Sequence, residues 1–285
     1  MYSIRMRPTC PPIQPAATID TRLRYHDPFM LLILITLLAP LHSADLAHHF
    51  QNLDATFILK NSATNAITVH NPHRAKQQFP PCSTFKIPNT LIALESGIAS
   101  GPDFLIKYDP ALKMEGRGPN GAWGRDNTLR SAYQNSVLWF YQDIARRAGL
   151  DAETRFVRQF QYGNKDTSAG VDKFWLGTSL KISAEEQIAF LERLNTNKLG
   201  LSPRTTAIAK DIMLAESGEG WKLYAKTGAC REPNQPVALW YVGFVERAGA
   251  TYYFALEMAA PDYEPLMHQR IPKTKAILTE LRIIQ

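Results

Sequence analysis

Hydrophobic and polar residues alternate in two short segments of the chain, at 55–60 and 66–70, with a polar stretch at 61–65 between them. Because alternation by two places successive side chains on opposite faces of a strand, these segments predict a β-hairpin. Runs rich in β-branched and aromatic residues predict three more strands much later, at 221–228, 237–245 and 251–258. Strands are therefore expected at both ends of the chain.

The region between these strands has helical periodicity, with apolar residues recurring every three or four positions. A capping box of Ser183 and Glu186 begins one helix that runs to about Asn195, and Asp151 is a candidate N-cap for another. Further helices are predicted at 84–95, 129–148, 205–216 and 272–284. The fold class that follows is α+β: both chain ends form an antiparallel β-sheet flanked by helices, with an inserted, mainly helical region. A cleft is expected where the two parts meet.

A mainly apolar tract at 29–41 stands apart from this pattern because it is too short to span a bilayer comfortably. Arg22 and Arg24 precede it, and the small residues Ser43 and Ala44 follow it. Basic, apolar and small residues in that order are typical of a signal peptide, with cleavage near Ser43 or Ala44. The alternative is a buried strand or helix.

We therefore interpret residues 1–44 as a leader and residues 45–285 as the mature domain, exported to the periplasm without a stable membrane anchor. Residues 1–29 are unusual for a leader. They are either part of a long one or the product of a start codon assigned too early, with Met30 as the true start.

Composition narrows the function classes further. The net charge of +6 is spread along the chain without a basic run, which argues against a nucleic-acid partner. The cysteines Cys10, Cys82 and Cys230 lack metal-ligand spacing, and no Cys-x-x-Cys or His-x-x-x-His occurs, so no metal site is expected. No interface is legible in the sequence, and both a monomer and a dimer are compatible with it.

The first motif with chemical content is Ser83-x-x-Lys86, which lies where a Pro-broken loop enters a predicted helix. A spacing of three places both side chains on one helical face, so the amine of Lys86 can reach the hydroxyl of Ser83. A serine needs such a neighbour because its hydroxyl alone is a poor nucleophile. By itself the motif is weak, since a chain of this length contains about one by chance.

Two further motifs make the combination specific. Ser136 lies in the helical middle of the chain, and Lys226-Thr227-Gly228 lies on a predicted strand, where its glycine permits close approach of a ligand to the backbone. Ser-x-x-Lys, Ser and Lys-Thr-Gly in this order are the three signatures of penicilloyl serine transferases.

From about residue 50 to residue 284 the chain resembles the class D β-lactamases, or oxacillinases. The resemblance rests on segments that occur in the family's order: Ser83-Thr84-Phe85-Lys86, Trp123-Gly124-Arg125-Asp126, Ser136-Val137-Leu138, Tyr162-Gly163-Asn164, Phe174-Trp175-Leu176, Lys226-Thr227-Gly228 and Trp240-Tyr241-Val242-Gly243-Phe244-Val245-Glu246. The tyrosine and tryptophan segments distinguish class D from classes A and C.

This resemblance implies hydrolysis of the β-lactam amide bond through an acyl-enzyme on Ser83, and hence β-lactam resistance. It implies that CO₂ carboxylates Lys86 to N6-carboxylysine, the general base of acylation and deacylation, with no other cofactor. The carbamate would be supported by the indole N–H of Trp175 and by the apolar side chains of Phe85, Leu138 and Leu176. Leu138 departs from the family, which has a smaller valine there.

The resemblance also assigns the remaining site residues. Ser136 would relay a proton to the lactam nitrogen, and Lys226 would add positive charge beside it. The backbone N–H groups of Ser83 and Ala229 would form the oxyanion hole next to Gly228. Thr227 and Arg270 would hold the substrate carboxylate. For Arg270 the alternative is a solvated arginine before the last helix.

Cys82 and Cys230 form a candidate disulfide, because several class A carbapenem-hydrolysing enzymes have a bridge at the matching two places. Two buried free thiols are the alternative. A β-lactam sensor domain, which is acylated without turnover, is the nearest rival to the enzyme. A peptidoglycan transpeptidase and a non-catalytic binding module are more distant, since neither explains the full set of motifs.

Overall fold

The structure, a computed structural model, describes residues 45–264 and 266–285. The predicted signal peptide and Cys10 lie outside these residues. Six strands form one antiparallel sheet in the order β2-β1-β8-β7-β6-β5, and β3 pairs with β4 separately. The strands are β1 Ala55–Asn61, β2 Ile67–His70, β3 Leu105–Ile106, β4 Asn127–Thr128, β5 Leu214–Gly218, β6 Trp221–Arg231, β7 Val237–Arg247 and β8 Ala250–Ala260.

The first strand pairs with the last, as the sequence predicts. Ala55 of β1 lies opposite Met258 of β8, and Asn61 lies opposite Tyr252. The N-terminal hairpin thereby extends a sheet whose other strands come from the C-terminal part of the chain. The expected α+β fold, in which both chain ends build the sheet, is confirmed.

Both faces of the sheet are covered, which explains why β7 is buried along nearly its whole length. On β8 the side chains alternate between two cores: Tyr253 and Ala255 belong to the larger one with the inserted helices, whereas Phe254 and Leu256 belong to the smaller one. The smaller core also contains Ile277 of the last helix. The site described below lies on the side of the larger core.

Eight α-helices complete the described part of the chain: α1 Pro72–Ala75, α2 Lys86–Glu95, α3 Leu129–Gln134, α4 Leu138–Ala148, α5 Leu150–Gln159, α6 Ala184–Asn195, α7 Pro203–Met213 and α8 Arg270–Glu280. The capping box that begins α6 is present, with Ser183 and Glu186 each accepting from the other's backbone N–H. Across the described residues, no helix combines the length and apolar character needed to cross a bilayer.

The predicted helix over 129–148 is wrong as a single element. It is divided into α3 and α4 at Ser136, whose φ of 55° lies in the left-handed region that a helix excludes. Ser136 therefore does not lie inside a helix. It projects from a tight turn between two of them, where the N–H of Val137 donates to the carbonyl of Ala132.

Three helix boundaries also differ from their predictions. The helix predicted over 205–216 ends at Met213, because Leu214–Gly218 pairs with β6 as an edge strand. The last helix covers Arg270–Glu280, so it begins and ends earlier than the predicted 272–284. Asp151 is not an N-cap; it lies in the first turn of α5, which begins at Leu150.

Candidate active site

Ser83 and Lys86 lie at the junction of two helical segments. Ser83 belongs to a 3₁₀ turn, Cys82–Phe85, which we call the Ser83 turn, and Lys86 is the first residue of α2. Residues three apart in a 3₁₀ turn are nearly eclipsed, so the two side chains lie side by side. The Nζ atom of Lys86 donates to the Oγ atom of Ser83 at 3.0 Å. Ser83 is partly exposed, whereas Lys86 is fully buried.

Backbone contacts from distant elements hold the Ser83 turn. The N–H of Cys82 donates to the carbonyl of Trp175 at 3.0 Å. The indole Nε1 of Trp240, in the middle of β7, donates to the carbonyl of Pro80 at 2.9 Å. The central sheet and the Trp175 loop thus fix the position of the turn from two sides.

A covalent bond also joins the turn to β6. Cys82 and Cys230 form a disulfide with a Cα–Cα distance of 5.4 Å, which confirms the predicted pairing. Gly228 lies two residues before Cys230, and a Cβ atom there would be 2.9 Å from the carbonyl oxygen of Pro81. The glycine therefore permits close approach of the Ser83 turn itself, where the sequence predicted close approach of a ligand.

The surroundings of Lys86 are aromatic. Its Nζ lies 5.3 Å from the ring centroid of Tyr141, and the ring of Phe85 stacks on Trp175 at 5.4 Å. Burial lowers the pKa of Lys86 to about 7, because a charged amine is poorly solvated there. The Nε1 atom of Trp175 is buried and has no hydrogen-bond partner among the described residues. An unpartnered buried donor and a buried lysine with a lowered pKa each mark a candidate functional site.

The Tyr162-Gly163-Asn164 motif supports this aromatic cluster from behind. Tyr162 is fully buried, and its ring packs edge-on against Phe85 at 5.5 Å. Gly163 has a φ of 51°, and a Cβ atom there would clash with the carbonyl oxygen of Lys181. Asn164 accepts from the N–H of Lys181 at 3.0 Å and donates its own N–H to the Lys181 carbonyl at 2.9 Å. The motif therefore fastens the end of α5 to a neighbouring segment and fixes Tyr162.

A second pair of site residues comes from elements far apart in sequence. The Nζ atom of Lys226, on β6, donates to the Oγ atom of Ser136 at 3.1 Å and to the carbonyl of Thr227 at 3.2 Å. Burial lowers the pKa of Lys226 well below its ordinary value, and the positive charges of Lys86 and Arg270 lower it further. The structure thus brings Ser136 and Lys226 into contact and places Lys86 close enough for its charge to act on Lys226.

Arg270 begins α8 and points back to β6. Its Nη1 atom donates to the carbonyl of Gly228 at 2.6 Å, and its Nε atom donates to the carbonyl of Met267 at 2.7 Å. The side chain is mostly buried, so the alternative of a solvated arginine is wrong. Burial lowers the pKa of Arg270 to about 10, which leaves it charged at neutral pH.

Three predicted residues lie at the margin of this group. Ala229 is partly exposed and directly precedes Cys230, while Leu138 and Leu176 are partly buried. Leu138 is the first residue of α4, and Leu176 follows Trp175 in its loop. The predicted contact of both leucines with a modified Lys86 stays a prediction.

Two aromatic residues of the site were missed by the sequence analysis. Tyr141 on α4 lies over Lys86, and Tyr133 on α3 lies 5.6 Å from the Nζ atom of Lys226. The hydroxyl of Tyr133 donates to the carbonyl of Ala225 on β6 at 3.2 Å. In the sequence, only their position within five residues of Ser136 could have indicated a role in the site. Tyrosines that simply pack in a helical core occur at the same spacing.

Comparisons with known proteins agree with this geometry. A family model described as penicillin binding protein transpeptidase domain matches residues 55–281. The chain is 39% identical over 216 residues to β-lactamase OXA-48 of Klebsiella pneumoniae, covering 75% of this chain and 78% of that protein. It is 34% identical over 233 residues to β-lactamase OXA-19 of Pseudomonas aeruginosa, with coverages of 80% and 85%. The crystal structure of the class D β-lactamase YbXI from Nostoc is similar, with a TM-score of 0.77 and 32% identity, covering 83% of this chain and 98% of that one.

Proposed function

Since the chain belongs to the class D β-lactamases and is a serine hydrolase of β-lactams, we propose that Ser83 is its nucleophile and that Lys86, carboxylated by CO₂, provides its general base. The observation that carries this proposal is the buried amine of Lys86, 3.0 Å from the hydroxyl of Ser83. A nucleophile and a base in direct contact are the minimum that acyl transfer requires.

The residues around Lys86 fit a carbamate. An amine must be neutral to attack CO₂, and a pKa of about 7 leaves much of Lys86 neutral at neutral pH. Its nitrogen forms a bond to the carbon of CO₂ and loses a proton. The buried Nε1 donor of Trp175, which lacks a partner among the described residues, would then donate to a carbamate oxygen. The carbamate supplies the general base for both acylation and deacylation.

In acylation the Oγ atom of Ser83 attacks the lactam carbonyl carbon and loses its proton to the base at Lys86. The backbone N–H groups of Ser83 and Ala229 stabilise the oxyanion that develops. This arrangement is supported by the Cys82–Cys230 disulfide, because each cysteine directly adjoins one of these two residues. Collapse of the intermediate breaks the carbon–nitrogen bond and leaves an ester on Ser83.

The leaving nitrogen takes a proton from the hydroxyl of Ser136, which is replenished by Lys226 through their 3.1 Å hydrogen bond. The substrate carboxylate binds beside Thr227, where Lys226 and Arg270 supply positive charge. In deacylation, water attacks the ester carbonyl and gives its proton to the base at Lys86, and Ser83 is released.

The cellular setting and partners of the enzyme are part of the same proposal. We propose a periplasmic enzyme whose residues 1–44 act as a signal peptide, with no stable membrane anchor and no nucleic-acid partner. The support is the apolar tract at 29–41 and a net charge of +6 without a basic run. Monomer and dimer are both compatible with these features.

Variants at two lysines test the proposed base. Lys86→Ala should lower kcat for a chromogenic cephalosporin by about 10²- to 10⁴-fold, the usual contribution of a general base. Lys275→Ala is the matched control and should leave kcat unchanged, because Lys275 is a partly exposed lysine paired with Glu216. A Lys86→Ala variant with wild-type kcat would contradict the proposal. Stoichiometric acylation of the wild type without turnover would instead indicate the sensor.

A further inference from the structure

We propose that His48, His49 and Glu280 form a binding site for a divalent transition-metal ion of the Zn²⁺ type. Within the described residues, this is the one group of three His, Cys, Asp or Glu side chains whose ligand atoms all lie within 4.8 Å of one another. The site joins the start of the mature domain to the last turn of α8, on a part of the chain that the β-lactamase mechanism does not use.

Two imidazoles converge on one carboxylate oxygen. The Nε2 atom of His48 lies 3.0 Å from Oε2 of Glu280, and the Nε2 atom of His49 lies 2.7 Å from the same oxygen. Both histidines belong to the short 3₁₀ helix Ala47–Phe50, and their rings lie 4.1 Å apart. The side chains of adjacent residues usually point in different directions. The approach of both histidine rings to one carboxylate oxygen therefore depends on the conformation of this 3₁₀ helix.

A contact on the other side of His48 orients its ring for a metal. The Nδ1 atom of His48 lies 3.1 Å from the carbonyl oxygen of Asp45. A carbonyl oxygen can only accept, so Nδ1 carries the proton, and in the neutral imidazole Nε2 presents its lone pair toward Glu280. In that tautomer the Nε2 lone pair and the Glu280 carboxylate face the same point, where a cation can bind to both. Metal-bound histidines typically donate their second ring N–H to such a carbonyl.

The distances suit a small cation. Bonds of about 2.0–2.2 Å to nitrogen and oxygen place neighbouring ligands of a tetrahedral Zn²⁺ about 3.3 Å apart. The two histidine–glutamate separations, 3.0 and 2.7 Å, therefore need to open by only about half an ångström. His48 and Glu280 are exposed, so small shifts of their side chains are not resisted by packing. Water would complete the coordination.

The surrounding charges allow this ion. Asp45 and Glu280 are acidic, and the neighbouring cation Lys273 donates its Nζ to the backbone carbonyl of His49, away from the ring nitrogens. The spacing of cysteines and histidines in the sequence predicted no metal site, because such spacing reveals only ligands that are close together along the chain. Here the glutamate lies 231 and 232 residues from the two histidines, and the fold alone brings them together.

Calorimetric titration of the EDTA-treated protein with ZnCl₂ tests the proposal. We expect one Zn²⁺ per chain at this site, an affinity at least tenfold lower in His48→Ala and in His49→Ala, and a similar loss in Glu280→Gln. Zn²⁺ at about ten times its Kd should raise the Tm of the wild type by about 3 °C or more. Hydrolytic activity without added metal, measured for each variant, reports that its fold is intact.

His268→Ala is the matched control. The Nε2 atom of His268 contacts Glu264 at 3.0 Å, so these residues form a more exposed histidine–carboxylate pair that lacks the third ligand. The affinity of this variant for Zn²⁺ should equal that of the wild type. Absence of Zn²⁺ binding to the wild type, or undiminished binding in His48→Ala, would overturn the proposal. Loss of binding in His268→Ala with retention in His49→Ala would do the same.

Discussion

The indole of Trp175 stacks on the ring of Phe85 at 5.4 Å, yet its buried Nε1 atom has no acceptor among the described residues. An unpartnered buried donor costs about 1–3 kcal/mol, so packing alone does not explain a tryptophan at this place. Phe85 directly precedes Lys86, and we propose that the unused donor serves a group carried by that lysine. The carbamate proposed for Lys86 supplies the missing acceptor.

Trp175→Phe should therefore slow catalysis while preserving the stack on Phe85. Loss of a hydrogen bond to a charged group costs about 1.5–3 kcal/mol, so kcat should fall by about 10- to 100-fold, with acyl-enzyme accumulating in the steady state. Mass spectrometry of the protein during turnover measures that accumulation. Trp221→Phe, which changes a buried tryptophan of the other core, should leave kcat unaltered. If Trp175→Phe turned over without accumulating acyl-enzyme, the assigned contact would be wrong.

The pH dependence of activity should follow the proton on Lys86. Its pKa of about 7 means that below neutral pH the amine is protonated and cannot react with CO₂. We expect kcat to fall as the pH drops through about 7 and to recover in part when bicarbonate is added. Incorporation of ¹³C-bicarbonate, followed by NMR as a carbamate resonance, measures the modification directly. An activity indifferent to bicarbonate at acidic pH would count against Lys86 as the modified base.

The spacing of residues in the sequence was enough to predict the contact between Ser83 and Lys86, but not the contact between Ser136 and Lys226. Ser83 and Lys86 are three residues apart, so any helical turn brings their side chains together. Ser136 and Lys226 are 90 residues apart, and no local pattern specifies which strand position faces which turn. Only the resemblance to a family predicted that they act together.

The errors in secondary structure have a similar origin. Ser136 interrupts a segment whose composition is helical throughout, because tertiary packing holds one serine at a positive φ without any glycine or proline to indicate it. The helix predicted over 205–216 ran into the strand Leu214–Gly218, whose exposed side chains show no alternating pattern of an edge strand. Its hydrogen bonds to β6 decide its conformation.

Removal of the disulfide should affect both stability and catalysis. Cys82 and Cys230 are separated by 148 residues, and loss of a native bridge typically costs about 2–5 kcal/mol. We expect the Tm of Cys82→Ser/Cys230→Ser to fall by about 5 °C or more, and kcat to fall because the neighbours Ser83 and Ala229 lose their fixed separation. Thermal unfolding and steady-state kinetics measure the two effects.

Alkylation provides the control for this prediction. In the unreduced protein neither Cys82 nor Cys230 should be labelled, whereas reduction under denaturing conditions should expose both to the reagent. Peptide mapping distinguishes them from Cys10, if that residue is retained. Two labelled thiols at these positions in the unreduced protein would rule out the bridge.

A buried carboxyl beneath the site should make stability depend on pH. Glu153 on α5 is fully buried, and the side-chain amide of Asn89 on α2, with its nitrogen turned toward Glu153, donates to both carboxyl oxygens at 3.0 and 3.3 Å. Burial raises the pKa of Glu153 to about 8, against about 4.3 for an unperturbed glutamate. Between these values the folded protein retains a proton that the unfolded chain has lost.

Stability should therefore decrease as the pH rises through this window, by at most ~1.4 kcal/mol per pH unit, and level off above about pH 8. Glu153→Gln keeps the shape and the hydrogen-bonding capacity of the side chain but cannot ionise. Urea titrations at about pH 5 and about pH 8 measure the free energy of unfolding of this variant. Between these pH values it should decline less than that of the wild type, and at about pH 8 the variant should be the more stable protein. Glu185→Gln, at an exposed glutamate on α6, should behave as the wild type does. Equal pH slopes for the wild type and Glu153→Gln would mean that Glu153 is already ionised within the fold, and that Asn89 stabilises a buried carboxylate instead.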